Sequence, residues 1–417
     1  MRVAILGFGT VGQSVARILV ERPELADRLQ LTHIFNRGVD RKRAPWVPAN
    51  VTWTDSLDEV LAASPDVIAE LAGGVEPANT WVTRALDAGA SVVTANKMLL
   101  AAHGPELLQR AALRGTQLRF EAAVGGGVPL IHGVREGLAG DRLTGVAGIL
   151  NGTCNYILSR MAGSDESMDV VLPDAQRLGY AEADPSADVD GLDAAAKLVV
   201  LAGIAFRRHM RLEDVPKHSI RPLSAADFRY ARRLGCTIRQ VSQVKSGADG
   251  FHAFVGPVLV PENSAFGRNL GANNVVSIYG TYGGESSFSG AGAGGPATAV
   301  AVVSDLLALT QSRRGDRAES WTPLTLTPPP ARPYYLRFVV HDRPGILAFL
   351  AAALAAQGVN VDALLQEPGY PKDRLPFVIT VEPCEEAALR AALTQITSAD
   401  WHAEPPLALP MLLPEVA

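Results

Sequence analysis

Residues 1–19 read MRVAILGFGTVGQSVARIL, and this stretch decides the fold. Arg2–Leu6 is a short apolar run that ends at once in Gly7-Phe8-Gly9-Thr10-Val11-Gly12, after which Val11–Leu19 places apolar residues at helical spacing. Strand, glycine turn and helix in that order open a doubly wound sheet. Gly7 permits the tight turn, Gly9 lets a pyrophosphate approach the backbone, and Gly12 allows close helix–strand packing. The helix that follows offers free N–H groups and a positive dipole end to phosphates. A GxGxxG motif alone is weak, and a purely structural turn is the alternative. Its position between a strand and a helix favours a dinucleotide site, with Phe8, Thr10 and Val11 lying along the same ligand.

Working outward, the alternation continues. Leu29–Phe35, Asp66–Leu71, Ser91–Thr94 and Gln117–Glu121 read as strands, with helices at Leu57–Ala63, Asn79–Ala88 and Gly104–Arg114. This spacing predicts an α/β fold with a Rossmann-type, mostly parallel sheet over residues 1–130, completed by residues 290–312. After Gly125–Gly127 the pattern changes. Helical segments at Asn155–Ala162, Met168–Leu178 and Leu192–Gly203, then strand-like Thr237–Lys245, His252–Leu259 and Val275–Gly280, predict an α+β substrate and dimerisation domain over 131–290. Ser289–Gly295 reads as a second glycine turn before a helix at Pro296–Leu309. The proline-rich 313–333 reads as a linker, and 334–417 as a third module.

The cofactor's identity is written at the end of the second strand. NAD-preferring sites usually carry an acid there for the ribose hydroxyls. Here stand Phe35-Asn36-Arg37-Gly38, followed by Arg41, Lys42 and Arg43. A guanidinium suits a 2′-phosphate, so NADP(H) is favoured over NAD(H), with Arg37 as its contact; a solvated basic loop is the alternative.

Bulk composition narrows the partners. A chain of 417 residues, 47% hydrophobic and 19% charged, is a packed protein of more than one domain. Its formal charge of −5 makes nucleic acid and anionic membrane poor partners. Cys154, Cys236 and Cys384 are too few and too scattered for a disulfide framework or a zinc site, which fits a reducing, cytoplasmic setting. The N-terminal apolar run lacks a signal-peptide cleavage site, and no apolar stretch is long enough to span a bilayer.

Five further segments, in order, resemble the homoserine dehydrogenase family over residues 1 to about 310. They are Glu70-Leu71-Ala72-Gly73-Gly74, Thr94-Ala95-Asn96-Lys97, the run Glu121 to Pro129, Gly148-Ile149-Leu150-Asn151-Gly152-Thr153, and Gly179-Tyr180-Ala181-Glu182-Ala183-Asp184-Pro185 through Asp188-Val189-Asp190-Gly191-Leu192-Asp193 to Lys197. The resemblance implies interconversion of L-homoserine and L-aspartate 4-semialdehyde with a nicotinamide cofactor. It makes Lys197 the acid/base residue and puts Glu182 and Asp193 on the substrate, with Gly179 and Thr153 lining the pocket. It associates Lys97 with cofactor and catalysis, places Thr94 and Gly292 along the cofactor, and implies a sodium site from Glu121 with the carbonyls of Val124, Gly126 and Val128.

The residues make chemical sense without that resemblance. Asp193 and Lys197 are one helical turn apart and share a face. A lysine beside a carboxylate, partly desolvated, can hold an alcohol oxygen and manage its proton as hydride leaves. A carboxylate such as Glu182 is the natural partner of an amino-acid ammonium group. For an isolated pair a surface ion pair is the commoner explanation; the surrounding motifs reverse that. Lys97 follows a strand end, where open α/β sheets bind ligands. A glycine-rich loop can turn carbonyls inward with a carboxylate supplying charge for a monovalent ion, although such loops more often serve as hinges. Thr153 could equally be a helix N-cap, and Cys154 is expected to be a packed neighbour. The stretch Pro216-Lys217-His218-Ser219-Ile220 departs from the family pattern.

The third module alternates through Tyr334–Val340, turns at His341-Asp342-Arg343-Pro344-Gly345 into a helix, and resumes at Gly358-Val359-Asn360-Val361. It resembles an ACT domain, a βαββαβ module that binds amino acids between paired copies. The resemblance implies a threonine effector near that turn and Asn360, or a role in assembly alone, and a homodimer or higher oligomer. The apolar stretch from Trp401 to Ala417 is expected to make a subunit contact. Two rival functions are open to test: aspartate-semialdehyde dehydrogenase, which needs an activated cysteine, and a cofactor-binding amino-acid sensor without catalysis.

Overall fold

In the computed structural model, residues 1–311 and 320–412 are described. Strands β1 (Arg2–Leu6), β2 (Gln30–Phe35), β3 (Thr52–Thr54), β4 (Val67–Glu70), β5 (Ser91–Thr94) and β6 (Leu118–Arg119) form one sheet in the order β3-β2-β1-β4-β5-β6. All its pairings are parallel. Helices α1 (Thr10–Glu21), α2 (Val39–Lys42), α3 (Leu57–Ala62), α4 (Ala78–Asp87) and α5 (Lys97–Arg114) connect the strands. Strand periodicity divides β1 between the two faces: Val3 and Ile5 join Val15, Ala16 and Leu19 of α1, while Ala4 and Leu6 join Val82, Leu86 and Leu107 on the other side. The strand order reverses between β1 and β4, which opens the crevice where such sheets take ligands.

Helix α5 starts seven residues earlier than Gly104-Pro105 suggests (97 against 104), because the Asn96 side chain accepts from the Leu99 amide at 3.1 Å and caps it. Beyond α6 (Leu130–His132), a second sheet contains β7 (Leu143–Ile149). Helices α7 (Gly152–Ser164), α8 (Met168–Arg177), α9 (Ser186–Val189) and α10 (Leu192–Phe206) follow, then the short β8 (Arg208–His209) and α11 (Ala225–Arg233). Strands β9 (Cys236–Gly247), β10 (Gly250–Pro261), β11 (Asn273–Gly280) and β12 (Gly284–Ala291) complete the sheet, which is antiparallel in the order β10-β9-β7-β11-β12. Ser289–Ala291, read from sequence as part of a glycine turn, instead ends the edge strand β12 against Asn273–Val275. Helix α12 (Gly295–Gln311) then returns to the first sheet. There a Cβ on Gly295 would stand 2.8 Å from Ser14 Oγ of α1, so the contact requires glycine.

Of the expected linker, residues 313–319 lie outside the described residues. The rest is not a free tether. β13 (Thr322–Pro323) pairs with β8, and Trp321 is only 5% exposed. β14 (Arg332–Val340), α13 (Ile346–Ala356), β15 (Val361–Gln366), β16 (Leu375–Cys384), α14 (Glu386–Thr397) and β17 (His402–Pro410) make the βαββαβ module, its sheet ordered β15-β16-β14-β17. The tail, expected to make a subunit contact, is fastened within the chain as far as Leu412. His402–Pro410 pairs with β14 and the Leu412 amide donates to the Leu259 carbonyl at 2.9 Å, while residues 413–417 lie outside the described residues. One face of this sheet packs on the middle of the molecule. Tyr335, Val378 and Leu409 share a core with Ile157, Leu158 and Phe228, and a fully buried Arg337–Asp227 ion pair crosses the same seam.

Candidate active site

The glycine turn has the form that phosphates require. Gly7 has φ +102°, and a Cβ there would press on Leu71 and Ala72 at 2.9 Å. A Cβ on Gly12 would meet the Gly7 carbonyl oxygen at 2.0 Å, whereas one on Gly9 would meet nothing within 4 Å. Gly9 also begins α1 without any side-chain cap, so the first amides of that helix face open space. These residues fit a dinucleotide. Phe8 turns its ring into the core against Trp53, leaving only its backbone at the turn, and its amide donates to Asn36 Oδ1 at 3.1 Å. Thr10 and Val11 open α1, and Arg37 is exposed beyond the end of β2, where Asn36 occupies the place an acid would take.

At the carboxyl end of the same sheet, just after β5, three charged side chains meet. Lys97, first residue of α5, and Asp193, in the first turn of α10, lie 3.2 Å apart (Nζ to Oδ1). Lys197 Nζ donates to Asp193 Oδ2 at 2.7 Å and to the Leu150 carbonyl at 2.9 Å. Asn151 donates from Nδ2 to Asp193 Oδ2 at 2.8 Å and to Asp188 Oδ1 at 2.5 Å. Side-chain exposures of 11% for Asp193 and 14% for Lys197 exclude a solvated surface pair. Burial pushes the Asp193 carboxyl up. The Lys197 and Lys97 ammonium groups, with hydrogen bonds from Lys197 and Asn151, outweigh it and hold the group well below the usual carboxylate range. For Asp188, by contrast, burial prevails over the Asn151 hydrogen bond and raises the pKa.

The supports of this cluster reach both domains. Glu70, fully buried at the end of β4, accepts from the Ala72 amide at 2.9 Å and from Thr94 Oγ1 at 2.6 Å. Thr94 is thus buried, with its hydroxyl committed to Glu70, and Thr94 Oγ1 in turn accepts from the Asn96 amide at 3.0 Å. Gly292 is equally constrained: a Cβ would stand 2.2 Å from Asn274 Cγ, and Asn274 Nδ2 donates to the same Leu150 carbonyl that holds Lys197.

Other predicted residues are less central. Asn151, not Thr153, caps α7 by accepting from the Cys154 amide at 2.8 Å, so the capping alternative for Thr153 fails. Thr153 Oγ1 instead donates to the Tyr180 carbonyl at 2.5 Å. Gly179 (φ +77°) ends α8, and Glu182 stands exposed on the next loop, its carbonyl accepting from Gln176 at 3.0 Å. Cys154 is buried and its thiol donates to the Asp188 carbonyl at 3.2 Å, with a pKa that burial drives well up. It is a packed neighbour with none of the activation a thioester-forming nucleophile needs. Asp188, Glu70 and Asn274 were not singled out from sequence. Asp188 and Glu70 had a signal there, each as the first acid of a quoted family segment, and Asn274 had none.

At the expected cation loop the carboxylate has protein partners. Glu121 is 2% exposed, and its two carboxylate oxygens accept from the Ile131 and His132 amides, each at 2.8 Å. The group thereby caps α6. The Val128 carbonyl likewise accepts from the Leu130 amide at 2.7 Å. Among the described residues no three His, Cys, Asp or Glu side chains group as a metal site.

A parallel sheet with an open glycine turn at its switch point, and a lysine–carboxylate cluster beyond the carboxyl end of its strand β5, has the form of a nicotinamide-dependent oxidoreductase. Three family models match the chain: homoserine dehydrogenase, NAD binding domain, over residues 7–121; homoserine dehydrogenase over 129–307; and ACT domain over 334–400. A homoserine dehydrogenase of Synechocystis sp. is 35% identical over 433 residues, covering 99% of both chains. One from Mycobacterium tuberculosis is 40% identical over 381 residues, covering 88% of this chain and 86% of that protein. The crystal structure of a homoserine dehydrogenase from Thiobacillus denitrificans superposes with a TM-score of 0.90 at 34% identity, covering 99% of this chain and 98% of that one. A hyperthermophilic archaeal homoserine dehydrogenase mutant in complex with NADPH matches at a TM-score of 0.66 and 25% identity, covering 76% of this chain and 99% of that one. The chain belongs to the homoserine dehydrogenase family: it is an oxidoreductase with an NAD-binding domain and a C-terminal ACT domain. No helix among the described residues is long and apolar enough to cross a membrane.

Proposed function

We propose that the chain interconverts L-homoserine and L-aspartate 4-semialdehyde, with Lys197 moving the proton on the substrate oxygen. The observation that carries this reading is the buried contact of Lys197 with Asp193, joined by Lys97 from the carboxyl end of the cofactor sheet. A bound nicotinamide supplies hydride to the substrate carbon, or accepts it. As hydride reaches the aldehyde, Lys197 gives a proton from Nζ to the oxygen; in the oxidative direction it takes that proton back. The anionic Asp193 and the Leu150 carbonyl hold Lys197 in place, and Lys97 fixes the far oxygen of Asp193. Glu182 is the carboxylate for the substrate ammonium and Asp193 also lies on the substrate, with Gly179 and Thr153 shaping the loop around it.

NADP(H) is favoured over NAD(H), because Asn36 replaces an acid beside exposed Arg37, with Arg41 near at hand. Phe8, Thr10, Val11, Thr94 and Gly292 border the same ligand through backbone. The sodium reading keeps Glu121 and the carbonyls of Val124, Gly126 and Val128, each oxygen that accepts one amide still having a second lone pair, and no step depends on it. A division at residues 130 and 290, with 290–312 returning to the cofactor domain, is supported by α12 packing on α1. Exposed Leu347, Phe349, Val361 and Leu364 on α13 and the edge strand β15 support pairing of two copies, with a threonine effector bound near Asn360. Three free buried cysteines fit a reducing cytoplasm.

The test is a spectrophotometric assay with homoserine and each cofactor, repeated with threonine. Homoserine-dependent reduction, faster with NADP and slowed by threonine, is the expected result. No homoserine-dependent rate with either cofactor rejects the substrate and leaves the sensor reading.

A further inference from the structure

We propose that Trp321 is a positioning residue for the Lys97–Asp193–Lys197 centre, acting as a wedge between α5 and α10. This rests on the reading of that centre given above.

Its indole is buried among residues of both helices. A Cβ on Gly104 of α5 would stand 2.8 Å from Cζ3 of the ring, and a Cβ on Gly203 of α10 would stand 2.6 Å from Cδ2. Both glycines lie inside helices, where glycine is unfavourable. The ring occupying their faces gives that choice a physical reason. Phe120 meets the indole edge-on at 5.9 Å and His209 stacks on it at 6.4 Å. The backbone is fastened too. The Thr322 amide donates to the Arg207 carbonyl at 3.1 Å and the Leu324 amide to the His209 carbonyl at 2.8 Å. Trp321 is therefore pinned against the residues that immediately follow α10.

The two helices touch the reaction at their other ends. Lys97 opens α5 and Asp193 lies in the first turn of α10, and these two residues form the ion pair between the helices. Gly104 lies about 10 Å further along α5, and Gly203 about 15 Å along α10, at the helical rise per residue. The same two helices thus pack on each other, are joined by an ion pair at their starts, and both rest a glycine on the indole further on. The indole fixes their spacing, and a change there tilts one helix against the other and carries Lys97 away from Asp193. A misplacement of about 1 Å at a reacting centre can cost on the order of a hundredfold in rate.

The test is a cycle of Trp321→Ala and Lys97→Met in the full chain, reading kcat for homoserine oxidation. Trp321→Ala is expected to lower kcat roughly tenfold to a hundredfold, and Trp321→Phe to restore most of it because a ring still supports both glycines. In the Lys97→Met background, Trp321→Ala is expected to cost less than about threefold, since the contact it protects is already gone. Equal losses in both backgrounds, or a Trp321→Phe enzyme as impaired as Trp321→Ala, overturn the inference and leave the indole as packing. Should Trp321→Ala not fold, Gly203→Ala, which drives a methyl into the ring, enters the same cycle. A Lys97→Met enzyme with unchanged kcat rejects the reading of the centre, and the wedge with it; an impaired Lys97→Met enzyme with additive losses rejects the wedge alone.

Discussion

Replacing Lys197 with methionine keeps the length and packing of the side chain while removing its proton and charge. Its Nζ makes two hydrogen bonds, to Asp193 and to the Leu150 carbonyl, and a third direction is left for a substrate oxygen. Loss of a positioned acid/base typically costs about 10²–10⁴ in rate, or roughly 3–5 kcal/mol of barrier. Lys197→Met should lower kcat within that range, while the cofactor dissociation constant, read by fluorescence titration, changes less than about threefold. A second signature follows from Asp193. In the wild type its carboxyl is held low, so it is ionised above the ordinary carboxylate range and loses its charge only as pH falls through the depressed value. Without Lys197, burial is opposed only by Lys97 and Asn151, so the pKa rises and the residual turnover falls away at a higher pH on acidification than in the wild type. Turnover within threefold of wild type, or cofactor affinity lost in parallel with turnover, would refute the reasoning.

Two further outcomes are expected. Arg37→Ala should weaken NADPH binding at least tenfold more than NADH binding; equal effects on both would show that Arg37 does not contact the 2′-phosphate. Arg337→Met leaves the fully buried Asp227 carboxylate with hydrogen bonds from the Tyr335 hydroxyl at 2.9 Å and from the Ser224 amide and hydroxyl at 2.7 and 2.9 Å, but with no cation among the described residues. It should destabilise the chain by about 3 kcal/mol in denaturant titration. Arg337→Met/Asp227→Asn should recover part of that loss, and no recovery would place the cost in packing.

What could be read from sequence was what local pattern encodes. The glycine turn, the parallel alternation and the one-turn spacing of Asp193 and Lys197 are properties of short segments, and the folded chain keeps them. Where distant residues set the outcome, local pattern misled. Gly104-Pro105 looks like a helix start, yet the Asn96 cap begins the helix earlier and Gly104 is small because Trp321 lies against it. The proline-rich 320–333 looks like a tether, but its first residues are fixed by partners in α5, α10 and β8. Ser289–Ala291 reads as a turn because small residues dominate it, whereas hydrogen bonding to β11 makes it a strand. Glu121 looks like a charge for an ion, and its role as a helix cap emerges only when Ile131 and His132 fold back on it.

The placement of the C-terminal module bears on how it can influence the reaction. Its sheet shares a core with α7, α8 and α11, through Tyr335, Val378 and Leu409 against Ile157, Leu158, Val171 and Phe228. Helix α7 is capped by Asn151, whose side-chain nitrogen Nδ2 donates to both Asp188 and Asp193. The core beneath the glycine turn, by contrast, is built from residues of the first sheet, α1 and α12, and includes none from the module. Close-packed cores transmit displacement to the elements they touch. A shift of the sheet therefore reaches the carboxylates that orient Lys197 through one helix, while the cofactor turn is separated from it by the whole middle domain. An effector acting through this module is expected to change kcat and the KM for homoserine more than the cofactor dissociation constant, and an effect confined to cofactor affinity would contradict this route.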